Sequence, residues 1–288
     1  MKRKRNVNVM MVFALTLLMA VFSSCEKAVY DDHGGKVRLK FISSNSDISR
    51  GYVGDYFTKL ALMLFTPDGE KAFDKVKTQT ADDDDFGTFS LALQEGSYQV
   101  VAVGHSSPVT PSIKSTEMVQ FTAQNGIKNT DTFCYYGTVA IDEDGGYHEL
   151  VMNRLTAMLR IRLTDEELPD VYAGMRIDYT GGSANFNPST GEGCTKSNQS
   201  ELRGVSSDYV CFTFPYMSDE GKLKVTLYGL DADKSVLATK VLTDVPVTRN
   251  RITVYEGPLF GDGVGEIYQT GFGITVNGDW AGEDHYTF

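Results

Sequence analysis

Histidine, proline, tryptophan and cysteine are all scarce in this chain of 288 residues, with four, eight, one and four copies. None of the histidines (His33, His105, His148, His285) lies in an HExxH or other metal-ligand spacing. No CxxC pair or Cys/His cluster points to zinc, so neither a metal nor a cofactor is expected. No glycine-rich phosphate loop is visible. In Gly104–Pro108, GHSSP, a histidine stands beside a serine, but sequence neighbours do not make a nucleophile elbow. That stretch reads as a loop at a strand end. Acidic residues are abundant, yet no two are singled out as an acid–base pair. An enzyme is therefore not expected. Positive charge is also short: 27 Lys and Arg against 38 Asp and Glu, a formal net charge of −11. Such a surface argues against nucleic acid and against adhesion to anionic lipid by charge alone.

Long apolar runs are missing as well, with one exception. Val9 to Phe22 is fourteen residues with only Thr16 not apolar. A bilayer-spanning helix needs about 20. Ahead of it stands MKRKR, so residues 1–24 read as a secretory signal peptide. The run ends in Ser23-Ser24-Cys25, which resembles a bacterial lipobox with Phe22 in place of the usual Leu. Cys25 is thus expected to carry lipid and to become the mature N-terminus, and 25–35 to form a lipidated linker. Each buried acyl methylene contributes about 0.8 kcal/mol of hold. Glu26 in place of Asp favours the outer membrane. The first 24 residues contain four of the 27 basic residues and none of the 38 acidic ones, so the mature charge is −15.

Three cysteines then remain, too odd a count for a full disulfide framework. Cys194 and Cys211 flank Glu201–Gly204 symmetrically, so a hairpin there would bring them face to face. Three separate thiols are the other outcome, and the one favoured. The four carboxylates Asp82–Asp85 lack the interleaved Gly and later Glu of a calcium loop. They read as a solvated loop.

Strand patterns dominate the rest. Val37, Leu39 and Phe41 alternate with Arg38 and Lys40. Lys59–Phe65, KLALMLF, suits a strand covered on both sides. Thr88–Gly104 reads as a hairpin turning at Glu95-Gly96. Residues 105–133 read as mostly loop with a strand near Glu117–Phe121, and Cys134–Ile141 as another strand. Leu155 to Leu163 is the clearest alternation. Later strands are expected at Gly174–Tyr179, Asp208–Phe214, Leu223–Tyr228, Val236–Leu242 and Arg251–Tyr255. Thr164–Leu168 could form one capped helical turn. Short strands without helical periods argue for β-sandwiches. A boundary near Val151–Arg154 gives sandwiches at 36–152 and 153–288, with no convincing sequence repeat between them.

Taken in order, VRLKF, LALMLFTPDGE, LQEGSYQVVAVG, CYYGTVAID, LVMNRLTAMLRIRLTDE, IDYTGGSANFNPSTGEG and VPVTRNRITVYEGPLF resemble the fimbrial-subunit lipoproteins of Bacteroidales-type (type V) pili, anchor or minor-subunit branch. The likeness covers nearly the whole chain. It implies two tandem transthyretin-like Greek-key sandwiches and a role in pilus anchoring, assembly or tip adhesion. The implied partners are other fimbrial subunits, the outer membrane through the lipid, and a host or bacterial surface ligand. In the pilin branch a protease cuts after an Arg and removes the first strand; here Arg50-Gly51 is the matching candidate, with an ordinary loop arginine as its plainer reading. Tyr268, Phe272, Ile274 and Val276 share one face of YQTGFGITV and form a candidate donor strand for a neighbour's groove. Closing its own sandwich is that segment's plainer role. Trp280 reads as a core or interface plug, with the core favoured. A surface glycan-binding lipoprotein is the alternative, with Tyr52, Tyr56, Tyr135, Tyr136 and Tyr172 as an exposed platform.

Overall fold

The computed structural model describes residues 35–43, 53–121, 129–216, 221–260 and 280–288. Its elements follow from period-2 alternation, because successive side chains of a strand point to opposite faces. In β1 (Gly35–Ser43), Val37, Leu39 and Phe41 are at most 2% exposed, while Lys36, Arg38 and Lys40 face solvent. Burying a side chain such as Leu39 contributes roughly 2 kcal/mol.

β1 has a partner on each edge. It runs antiparallel to β4 (Thr88–Leu93) and parallel to β9 (Gly146–Arg154). Facing these three strands are β2 (Lys59–Phe65), β3 (Lys77–Thr80), β5 (Gly96–His105) and β8 (Phe133–Ile141). The sheet order is β3-β2-β5-β8-β9-β1-β4, curled into two layers that join where β8 pairs with β9 at Phe133–Arg154 and Cys134–Asn153. Leu39, Phe41, Leu62, Val100 and Met152 fill the space between.

The second sandwich repeats the arrangement. β10 (Ala157–Leu163) lies antiparallel to β15 (Asp208–Pro215) and parallel to β18 (Ile252–Gly257), as β1 lies to β4 and β9. The opposing layer holds β11 (Gly174–Ser183), β14 (Lys196–Gly204), β16 (Lys222–Leu230) and β17 (Val236–Pro246). The topological repeat has no counterpart in sequence. The chain is thus all-β, two tandem Greek-key sandwiches. At Gly181 (φ +104°) a Cβ would sit 2.2 Å from the Lys222 carbonyl oxygen, so glycine permits the bulge that swings β11 onto β15.

The hairpin expected at Thr88–Gly104 is instead an arch, and the hairpin that would have joined Cys194 to Cys211 is not formed either. β4 pairs with β1, whereas β5 pairs with β2 and β8. The turn at Glu95-Gly96 therefore crosses from one layer to the other. Likewise β14 pairs with β11 and β15 with β10, so Cys194 and Cys211 do not face each other and both are free thiols. Alternation shows which face of a strand is apolar. It does not say whether the next strand lies beside it or across the core. The helical turn expected at Thr164–Leu168 is absent too. Asp165 spends its carboxylate on the backbone N–H groups of Leu259 (2.7 Å) and Phe260 (2.8 Å), not on a local cap.

A third, small sheet joins the two sandwiches. β6 (Ser112–Ser115) and β7 (Met118–Gln120) come from the first half, β12 (Asn185–Asn187) and β13 (Glu192–Gly193) from the second. β7 and β12 pair at Phe186–Val119 and Asn185–Gln120. Beneath this sheet lies the outer face of β2: Ala61, Met63 and Phe65 pack with Val119, Phe121, Leu155, Phe186 and Phe214. This explains why KLALMLF is apolar on both faces.

An aromatic chain crosses the same layer. His105 meets Phe121 edge-on at 5.4 Å, Phe121 stacks on Phe214 at 6.4 Å, and Phe214 leans on Phe186 at 4.7 Å. His105 is 1% exposed, and its Nδ1 has no hydrogen-bond partner among the described residues. Burial first, and Lys59 second, lower its pKa from 6.5 to about 4. Between those values the unfolded chain binds a proton that the folded chain refuses. The contribution is complete above about pH 6.5 and is lost as pH falls towards 4. In chemical denaturation from pH 7 to pH 4, the native chain should therefore lose stability more steeply than His105→Gln. Parallel pH profiles would contradict a neutral, buried His105.

Candidate functional site

Every sequence-derived site residue lies outside the described residues: Cys25, Arg50 and Gly51, and the proposed donor face of Tyr268, Phe272, Ile274 and Val276. Their flanks are described. β1 begins ten residues after Cys25, and the second sandwich is left at Phe260 and rejoined at Trp280.

The rejoining chain forms β19 (Glu283–Thr287), parallel to β18 on its outer edge. This closing strand follows the one anticipated at 268–276. Tyr286 stacks on Tyr255 at 4.8 Å and Phe288 is buried in the second core. Arg162 reaches Glu256 at 2.7 Å and Glu283 at 3.8 Å, and Arg251 reaches Asp284 at 2.9 Å. These half-exposed pairs are worth little singly; the buried aromatic residues hold the strand.

Between the sandwiches stands a buried ion pair. Arg154 ends β9 and is 5% exposed. Its Nε donates to both oxygens of Asp131 at 2.9 and 3.0 Å, and its Nη2 lies 2.9 Å from Asp131 Oδ2. Its Nη1 donates to Asn250 Oδ1 at 3.3 Å. The guanidinium lies over Phe133 at 4.6 Å and Trp280 at 4.0 Å. Thr156 donates to Asp131 at 2.9 Å and accepts from the Thr132 amide. Asp131, Thr132 and Phe133 precede or begin a strand of the first sandwich; Asn250 and Trp280 belong to the second. Trp280, expected in the core, is half-buried at this junction and stacks on Phe212 at 6.3 Å.

Beside the junction opens a cleft of about 470 Å³. Its lining includes Tyr136, Asn153 and Arg154 from the first sandwich and Pro188, Arg249 and Asn250 from the second. Of the five tyrosines expected to form an exposed platform, Tyr136 alone among the described residues does so, at 37%. Tyr56 and Tyr135 pack against the first core, Tyr172 is buried with its hydroxyl on that of Tyr209, and Tyr52 lies outside the described residues. An amphipathic ring satisfies a core edge as readily as a surface, so composition did not separate these roles.

Titratable groups elsewhere are absorbed into structure. Burial raises the carboxyl pKa of Glu201, which accepts from the Tyr179 hydroxyl at 2.6 Å and pairs with Arg203. Cys134 is buried and burial pushes its thiol up; Cys211 is shifted the same way by burial and by Glu201. In the Asp82–Asp85 loop, Asp83 accepts from the Thr80 amide at 2.7 Å and Asp85 from Gln79 at 3.2 Å. Among the described residues, no group of three or more His, Cys, Asp or Glu is placed to hold a metal ion.

The class is thus an all-β protein of two sandwiches fixed by a shared sheet and a buried ion pair. The family of fimbrillin-A associated anchor proteins Mfa1 and Mfa2 matches residues 23–285, and the chain belongs to it. No curated protein matches the chain significantly. Among solved structures, the fimbrial anchor protein Mfa2 from Porphyromonas gingivalis is 12% identical, with 73% of this chain and 83% of that one covered at a TM-score of 0.44. A fimbrial assembly protein from Parabacteroides distasonis is 10% identical, covering 79% and 92% at 0.42. The tip fimbrial protein Mfa3 from Porphyromonas gingivalis is 9% identical, covering 79% and 96% at 0.39. These likenesses are too distant to say what this chain does.

The junction can be tested by a thermodynamic cycle. Arg154→Met leaves Asp131 partly buried and uncompensated, and should cost on the order of 3 kcal/mol. Adding Asp131→Asn should cost little more, because the orphaned charge is gone. A loss below 1 kcal/mol for Arg154→Met, typical of surface pairs, would contradict the buried clamp.

Proposed function

We propose that this chain is a non-enzymatic, lipid-anchored fimbrial subunit of the outer membrane, joined to its neighbours by strand complementation. Membership of the anchor family carries the reading. The lipobox at Cys25 and the position of β1 support it. Among the described residues no helix is long and apolar enough to cross a membrane. A lipid on Cys25 would supply membrane attachment.

Tension on such a tether enters at Gly35, the start of β1. β1 is hydrogen-bonded along both edges, so a pull along the strand must shear many ladder bonds together. β9 takes the load and ends at Arg154, where the junction passes it to the second sandwich. A cut after Arg50 would have the opposite consequence. β1 lies upstream of that bond, so its loss would open a groove between β4 and β9 lined by the first core. Anchoring and cutting are therefore exclusive fates for one molecule.

At the other end, the apolar face of Tyr268, Phe272, Ile274 and Val276 is the proposed donor to a neighbouring subunit, with alternate side chains filling pockets. Because Trp280 and β19 belong to the folded body, removing everything from Tyr268 onwards would confound assembly with folding. Point changes separate them. Cys25→Ala should move the protein from the membrane fraction to the soluble one, and retention in the membrane would refute the lipid anchor. Phe272→Ser with Ile274→Ser should leave the melting temperature unchanged and lower fimbrial incorporation at least tenfold. Normal incorporation would remove the donor assignment.

A further inference from the structure

The cleft beside the junction has a chemistry unlike the rest of the molecule. In a chain of formal charge −11, its lining includes two arginines and no carboxylate. Arg154 is neutralised from behind by Asp131. Arg249 is not: it donates from Nη1 to the Thr190 carbonyl at 3.1 Å and has no carboxylate partner among the described residues. One uncompensated guanidinium therefore faces the opening, with Nε and Nη2 unspent.

Two residues beside that group have positive φ. Gly191 has φ +74°, and a Cβ there would lie 2.3 Å from Arg249 Nη1. The positive φ is what favours glycine here; a Cβ would also have to push aside the flexible end of Arg249. The next residue, Asn250, is one of three described non-glycine residues with positive φ, at +58°. Asparagine adopts this left-handed conformation readily, here in a turn closed by the Arg251 N–H on the Thr248 carbonyl at 3.1 Å. The turn directs the Asn250 side chain to Arg154 through Oδ1, leaving its Nδ2 without a partner among the described residues. The Asn153 carboxamide and the Tyr136 hydroxyl are likewise unspent among the described residues, and both line the cleft.

From this arrangement we infer that the cleft is a binding site for a carboxylate-bearing saccharide, such as a uronic acid residue. The planar fork of Arg249 matches a carboxylate with two parallel hydrogen bonds. The single net charge suits one carboxylate better than a phosphate dianion. The Tyr136 ring offers an apolar face for a pyranose, and Asn153 and Asn250 offer amides for its hydroxyls. A volume of 470 Å³ falls within the range of small-molecule sites. This inference is independent of how the chain is anchored or assembled.

The test is a titration of the full chain in detergent with glucuronate, and separately with glucose, which has a hydroxymethyl group in place of the carboxylate. Calorimetry and saturation-transfer NMR read the binding. Glucuronate should bind saturably and at least tenfold more tightly than glucose. Arg249→Gln should remove that preference while glucose binding stays the same, and Tyr136→Ala should weaken both sugars. Arg249→Lys, which keeps the charge and loses the fork, should fall between. Circular dichroism confirms that each variant is folded; Arg249 and Tyr136 are both exposed side chains. Equal affinity for the two sugars, no saturable binding, or an unaltered Arg249→Gln would overturn the site. Tighter binding of a triglutamate peptide than of glucuronate would overturn the saccharide and make the ligand an acidic peptide.

Discussion

The first strand of the fold is held on both edges, and the rest of the molecule depends on that constraint. β1 registers six residues against β4 and seven against β9. Val37, Leu39 and Phe41 point from it into the centre of the first core. A terminal strand at a sheet edge can peel one hydrogen bond at a time. One between two neighbours must shear, and it drags three buried side chains with it. The same placement recurs at β10, so both sandwiches are closed by their own first strand lying parallel to a later one.

The two sandwiches also behave as one body for physical reasons that can be named. The β6-β7-β12-β13 sheet is continuous across them, and its inner face shares a core with the outer face of β2. Arg154 adds a polar lock: one guanidinium satisfies Asp131, reaches Asn250 and lies over two aromatic rings from opposite halves. A buried pair of this kind contributes less to net stability than to register, because desolvation offsets much of its attraction. What it fixes is the geometry of the junction, including the walls of the neighbouring cleft. It also keeps Arg154 from acting there as a free cation and leaves Arg249 as the group that faces solvent.

Much of the fold was legible in the sequence, and the misses share a cause. β2 coincides with KLALMLF, and the alternations at Val37–Phe41 and Leu155–Leu163 mark β1 and β10. The pairing of neighbours was not legible at β4–β5 and β14–β15. A strand with one apolar face looks the same whether its successor hydrogen-bonds to it or crosses the core. β14, KSNQSELRG, went unnoticed because its inward positions are Gln199 and Glu201, polar residues satisfied by Tyr179 and Arg203. β19 was hidden by EDHYT, a polar edge strand whose carboxylates pair with Arg162 and Arg251. Of the candidate site, the termini were read from motif and composition alone. The junction and cleft were not foreseen, since Asp131, Arg154, Asn250 and Trp280 meet only after both sandwiches form. The positive charges of VTRNR were the one available signal, and nothing in sequence showed which of them would lack a partner.

The central claim is that this molecule keeps its first strand and carries load through it to the membrane. Intact-mass analysis with N-terminal sequencing of the native surface protein addresses that directly. The account predicts a mature chain that begins at an acylated Cys25 and retains Gly35–Ser43. A mature chain that begins at Gly51 would contradict it, because β1 and the tether would both be gone.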